Sequence, residues 1–189
     1  MIGGKKSGRT IAIANRHPRL RLNRRAVMRL IATLETAPDA FALRDPAFLA
    51  GELSLVFLPD AALDQLHADF LGDPTTTDVI TFAGDPALGT AGEICVSVDT
   101  ALRYARQHGR AFSAELTLYL VHGWLHLAGY DDLIPAKKRL MRRAESRALQ
   151  LLTRAGALPE FSLQPRPKRK TRGNPARPAP LRCVPPGFL

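Results

Sequence analysis

Cysteine is scarce in this chain: Cys95 and Cys183 are the only two in 189 residues. They make no disulfide framework. One lies in an apolar run and the other near the C-terminus, so both are expected to stay reduced, as in a cytosolic protein. Long apolar runs are also missing. No stretch reaches the roughly 18 residues of a membrane span, and residues 1–20 lack the apolar centre of a signal peptide. A membrane partner is therefore not expected, and the cytoplasm is the expected compartment. Internal repeats are absent too. Acids are in short supply, with 17 Asp and Glu against 27 Lys and Arg, a formal charge of +10. That excess calls for an acidic partner, nucleic acid ahead of a membrane surface.

The charge is unevenly placed. From residue 159 onward the chain carries Arg166, Lys168, Arg169, Lys170, Arg172, Arg177 and Arg182, eight prolines and the single acid Glu160. Such a composition buries too little apolar surface to order itself, so residues 159–189 are expected to be a disordered basic tail. Residues 1–8 read as a flexible lead-in. Residues 9–158 form the expected domain, and a body of about 150 residues buries roughly 68–70% of its unfolded surface, enough to stand without disulfides.

Within that body, Thr10 to Ala14 alternates as a short strand. Val27, Leu30, Ile31 and Leu34 recur at helical spacing in a helix expected from Leu20 to Thr36. Glu52 to Leu58, Asp78 to Phe82 and Glu93 to Val98 read as further strands. A short helix is expected over 60–70, with a turn at Gly72-Asp73-Pro74. Asp99 is the expected cap of a helix to about Gln107, and Ser113 of the next, which ends near Ala128. Pro135 opens a last helix to about Leu152. The elements do not alternate strictly. The expected class is α+β: a single domain with a mixed four-stranded sheet against about five helices.

The chemistry concentrates between Leu120 and Asp132. His122 and His126 are four apart, so on a helix they point the same way and can reach one metal ion. Gly129 permits a left-handed exit, by which Asp131 or Asp132 can return as a third ligand and leave a fourth position for water. The helix is apolar nearly all round, and its polar residues Glu115, Tyr119, His122 and His126 share one stripe. A bare pair at this spacing equally suits two hydrogen-bonded core histidines. Gly123 follows His122 where the zinc-protease helix has its glutamate base, which speaks against a protease.

The run His122-Gly-Trp-Leu-His-Leu-Ala-Gly-Tyr-Asp-Asp132 resembles the H-G-x-L-H-L-x-G-Y-D-H signature of the YbeY family of bacterial rRNA-maturation endoribonucleases. Ile13 to Arg16, Thr77 to Phe82 and Gly92 to Ser97 are similar to other segments of that family, in the same order. The likeness extends over about residues 10–155. It implies one divalent metal ion, zinc by preference, held by His122, His126 and Asp132 on a central helix. It further implies a single-strand-specific, metal-dependent endoribonuclease. Its expected roles are maturation of rRNA, including the 3′ end of 16S rRNA, and ribosome quality control, with rRNA and the small ribosomal subunit and its proteins as partners and no DNA.

Two residues depart from the family pattern. Asp132 stands at the third histidine; a carboxylate is a sound ligand, and the alternative is a helix cap before Pro135. Leu71 stands at an arginine, so either a neighbouring arginine substitutes or catalysis is weakened. Glu115 and Asp78 are the candidate catalytic carboxylates. Candidate RNA contacts are Arg21, Arg24 and Arg25 on the first helix and Lys137, Lys138, Arg139, Arg142 and Arg143 on the last. A non-catalytic ribosome-assembly factor with a structural metal is the alternative function.

Overall fold

The computed structural model describes residues 9–43, 46–72 and 75–165, without the side chains of 46, 47 and 71. The lead-in, turn residues 73 and 74, and the tail from 166 with its Cys183 lie outside the described residues. A four-stranded sheet is built from β1 (Thr10–Asn15), β3 (Glu52–Leu58), β5 (Thr90–Ser97) and β4 (Val79–Ala83), in that spatial order. β1 and β5 run parallel to β3, while β4 runs antiparallel to β5, the mixed sheet expected. Five helices accompany it among the described residues: α1 (Arg24–Glu35), α2 (Asp60–Leu71), α3 (Val98–Gln107), α4 (Phe112–Leu127) and α5 (Pro135–Arg154).

Alternation along the strands divides the core. Leu53, Leu55 and Phe57 of β3, with Ile94 and Val96 of β5, face the larger cluster, which α1, α4 and α5 complete. Their intervening neighbours Val56, Leu58 and Cys95 turn to the opposite face, where Leu63 of α2 covers them. Period-two strands sandwiched between helices require this division. Cys95 is buried there as a free thiol, and burial first, then the charge of Glu93, raises its pKa to about 12. It is inert packing.

α4 is the central helix. It packs on β4 and β5 and against α3, α5 and a short strand, β6 (Phe161–Leu163). Gly123 makes the close approach to the sheet: a Cβ there would lie 2.5 Å from Ile94 Cγ2 and 3.1 Å from Val79 Cγ1. The position after His122 therefore faces the sheet, which explains why no glutamate base stands there.

Three expectations are corrected. Leu20–Leu22 is a strand, β2, paired antiparallel with β6 (Phe161–Leu163). Asn23 then caps α1 through Arg25 N and Ala26 N, so the helix begins at Arg24 and Arg21 sits on a strand. The expected tail is also ordered through its first seven residues: Phe161 is buried, and β6 is held by β2 and by Ser113. A three-residue strand carries no periodicity, and its partner is remote in sequence, so neither half announced itself. The caps differ as well. Ser97, not Asp99, caps α3 through Thr100 N, and Ser113 gives its hydroxyl to the β6 backbone instead of capping α4. No helix among the described residues is long and apolar enough to cross a membrane.

Candidate metal centre

The site begins with the way α4 ends. Gly129 takes φ 97°, its N–H bonds the His126 carbonyl, and the Tyr130 N–H reaches back to the Leu125 carbonyl. This paired closure is the Schellman motif, in which a left-handed glycine satisfies the last carbonyls of the helix. It reverses the chain so that the Tyr130 carbonyl comes to 3.2 Å from His126 Nδ1. Asp132 Oδ1 returns to 3.8 Å from His126 Nε2. Of the two aspartates left open by the spacing, Asp132 is the one that faces the histidines. Asp131 instead accepts from Leu133 N and pairs with Lys137 Nζ at 2.6 Å. Asp132 does not cap α5 either, since Ile134 is the cap residue and no side chain bonds there.

His122 and His126 stand one turn apart, with ring centroids 4.5 Å apart and planes at 87°. His122 Nδ1 lies 2.7 Å from Glu145 Oε1, on α5. A carboxylate and a carbonyl accept only, so each ring in its neutral form carries its hydrogen on Nδ1 and presents a bare Nε2. Those two Nε2 atoms are 2.9 Å apart. With both rings neutral, two lone pairs converging at that distance repel, and either a proton shared between the nitrogens or a metal ion beside them relieves the repulsion. Within the described residues, His122, His126 and Asp132 form a group able to hold a metal ion, each half-buried and each offering an atom within 4.8 Å of the others. The donor set of two imidazoles and a carboxylate suits a zinc-type ion with an open position. Protons compete for the same nitrogens.

The two rings titrate in opposite directions. Burial works to lower the His122 pKa, but the hydrogen bond and charge of Glu145, with Asp78 and Asp132 behind it, hold it above the ordinary histidine value. Burial first, then the charge of His122, pushes His126 down against the pull of Asp132. Glu145 orients His122 as an outer partner orients a metal ligand. Glu145→Gln is expected to weaken metal affinity by about 10–100-fold, read by competition with a chromophoric chelator, with the fold unchanged by circular dichroism. Unaltered affinity would remove Glu145 from the site.

His122 and Asp132 line a cleft of about 530 Å³, with Asp78, Arg103 and Tyr104 on one wall and Lys138, Arg142 and Glu145 on the other. Glu115 also lines it, only 3% exposed, 3.4 Å from Arg110 Nη1. Asp78 lies at the entrance to β4, where its Oδ1 accepts from Val79 N. Neither carboxylate joins the histidine group. Lys138 and Arg142, with Arg139, also line an adjoining hollow beside Asp132. Arg143 is exposed on α5 and Lys137 is engaged by Asp131. Arg21, Arg24 and Arg25 line neither of these cavities, and Arg24 donates to the Ile13 carbonyl. The side chain of Leu71 lies outside the described residues, but an arginine does stand in the cleft: Arg103.

Sequence reasoning missed Glu145 and Arg103. Glu145 had a signal, being the sole acid of a helix with seven Lys and Arg. Arg103 had none, because only the packing of α3 beside α4 brings it to the cleft.

A model of the family described as endoribonuclease YbeY matches residues 12–153. A protein named endoribonuclease YbeY from Anaeromyxobacter sp. (strain Fw109-5) is 35% identical over 173 residues, covering 90% of this chain and 80% of its own length. Its namesake from Protochlamydia amoebophila (strain UWE25) is 42% identical over 100 residues, 51% of this chain and 67% of its own. A solution structure of a Thermotoga maritima protein covers 78% of this chain and 95% of its own, with a TM-score of 0.49 and 21% identity, a level that bears on neither fold nor activity.

Proposed function

Since this chain belongs to the endoribonuclease YbeY family, we propose that it is a metal-dependent hydrolase of single-stranded RNA whose ion is held by His122, His126 and Asp132. The observation that carries the metal is the convergence of the two Nε2 atoms at 2.9 Å with Asp132 beside them. A bound divalent ion, zinc by preference, supplies Lewis acidity and a water of lowered pKa. The protein supplies the rest. Lys138, Arg142 and Arg103 attract and orient the phosphodiester from the two walls of the cleft. Glu115 and Asp78 are the carboxylates placed to accept a proton there. The cleft favours single strands, whose backbone can bend into it. We assign rRNA as the physiological substrate, with 16S 3′-end maturation and ribosome quality control as the process, the small subunit as partner and the cytoplasm as the compartment.

The test is cleavage of single-stranded RNA by purified protein with and without chelator, beside Asp132→Ala and with metal content measured. Chelator is expected to abolish cleavage and added divalent metal to restore it. Chelator-insensitive cleavage would sink the metal-nuclease reading, while tight RNA binding without cleavage would make the protein a ribosome-assembly factor.

A further inference from the structure

Beside the metal-binding cleft lies a second one, and Arg103 belongs to both. The second cleft has a volume of about 1120 Å³ and runs between α3 and the segment that follows β6. Arg19, Arg103 and Arg106 line it, with Gln107, Gln164 and Phe112. Two carboxylates are also present, and both are committed to the protein. Asp60 accepts from Ser97 Oγ, from Thr100 Oγ1 at 2.8 Å and from Arg103 Nη1 at 2.7 Å. Asp99 accepts from Asp60 N at 3.2 Å, and its other oxygen lies 3.3 Å from His17 Nε2 and 3.9 Å from Arg19 Nη2. What remains facing the cleft is an excess of guanidinium, two free amides and one aromatic ring.

Arg103 is held, not loose. One terminal nitrogen is fixed by Asp60 and the other donates to Thr100 Oγ1 at 2.7 Å. A guanidinium has five N–H groups, so three remain for a ligand. Its side chain is 47% exposed, at the divide between the clefts. A planar cation oriented in advance at such a point suits a phosphate bound from either side. The last described residue lining the cleft, Pro165, leads into a sequence that continues with Arg166, Lys168, Arg169 and Lys170.

We propose that the second cleft extends the substrate path. A single-stranded RNA held at the metal cleft passes over Arg103, which binds the phosphate at the divide, and continues between α3 and β6. There Arg106 and Arg19 meet the next phosphates, Phe112 offers a face to a base, and Gln107 and Gln164 meet base edges. This rests on the nuclease reading above. It adds that the protein grips RNA well to one side of the cleaved bond and gains affinity with substrate length until that cleft is filled.

Arg106→Glu tests it, using the full chain and a series of single-stranded RNA homopolymers of increasing length. Arg106 is exposed in the last turn of α3 and lines the second cleft but not the first, so cleavage of the shortest oligomers is expected to match the native protein. Longer oligomers are expected to bind about tenfold more weakly than to the native protein, with the salt slope reduced by about one. Arg154→Glu, on the exposed end of α5, makes the same charge change away from both clefts and is expected to preserve the length dependence. Equal weakening at all lengths, the same loss from Arg154→Glu, or no loss in either variant would overturn the second cleft. Native protein that neither binds nor cleaves RNA of any length would instead overturn the nuclease reading itself.

Discussion

Replacing His126 with alanine is expected to leave a folded protein that no longer retains its metal ion and cleaves RNA at least about a thousandfold more slowly. The folded state survives because His126 is a half-buried side chain on the open side of α4. The metal is lost because two donors remain, His122 and Asp132, and neither position can swing far. Glu145 ties down His122, and the turn after Gly129 fixes Asp132. Elemental analysis of dialysed protein reads the first effect and a single-stranded RNA assay the second. A variant that kept its full complement of metal would place the ion elsewhere. Loss of cleavage with metal retained would make His126 a contact to substrate instead of a ligand.

The largest effect on stability is expected at Trp124. Its side chain is fully buried and meets the edges of Phe41 and Phe48, with centroids 5.1 and 5.5 Å away. Trp124 lies between the two histidines in sequence but on the other side of α4. Seating the ring against the chain that follows α1 thus turns His122 toward the cleft, with His126 beside it on the same face. Trp124→Ala is expected to cost about 3–5 kcal/mol through lost burial and the cavity left behind. That is a large part of the roughly 5–15 kcal/mol by which such a domain is stable. Chemical denaturation reads the loss, and Trp124→Phe should recover much of it because the aromatic edge contacts persist in part. An unchanged midpoint for the alanine variant would mean that the surrounding core collapses without strain.

These two residues also mark how far the chain could be read without its fold. His122, Trp124, His126 and Gly129 sit on one helix and its exit, where three- and four-residue spacing and a left-handed glycine dictate direction. The mixed sheet was legible for a similar reason, since β3 and β5 are long enough to show their β-branched and apolar content. β2 and β6 were not, because three residues of strand gain meaning only through a partner more than a hundred positions away. The basic residues divide along the same line. Lys138 and Arg142 face the cleft while Arg21, Arg24 and Arg25 do not, a difference that composition cannot express.

The sequence by itself determined the class of fold, the helical histidine pair and the surplus of positive charge, because each depends on neighbours within a few residues. Spacing alone left Asp131 and Asp132 open, the family resemblance pointed to Asp132, and the tertiary structure brings Asp132 back to the histidines. It also decided that Glu145 orients His122, that Gly123 serves the sheet, and that Arg103 stands between two clefts. Each of these depends on atoms brought together across elements, where packing and the exclusion of water choose the partner. Scarcity of cysteine belongs to both accounts: the chain holds its shape with a buried core, and the group able to hold a metal ion is made of imidazole and carboxylate.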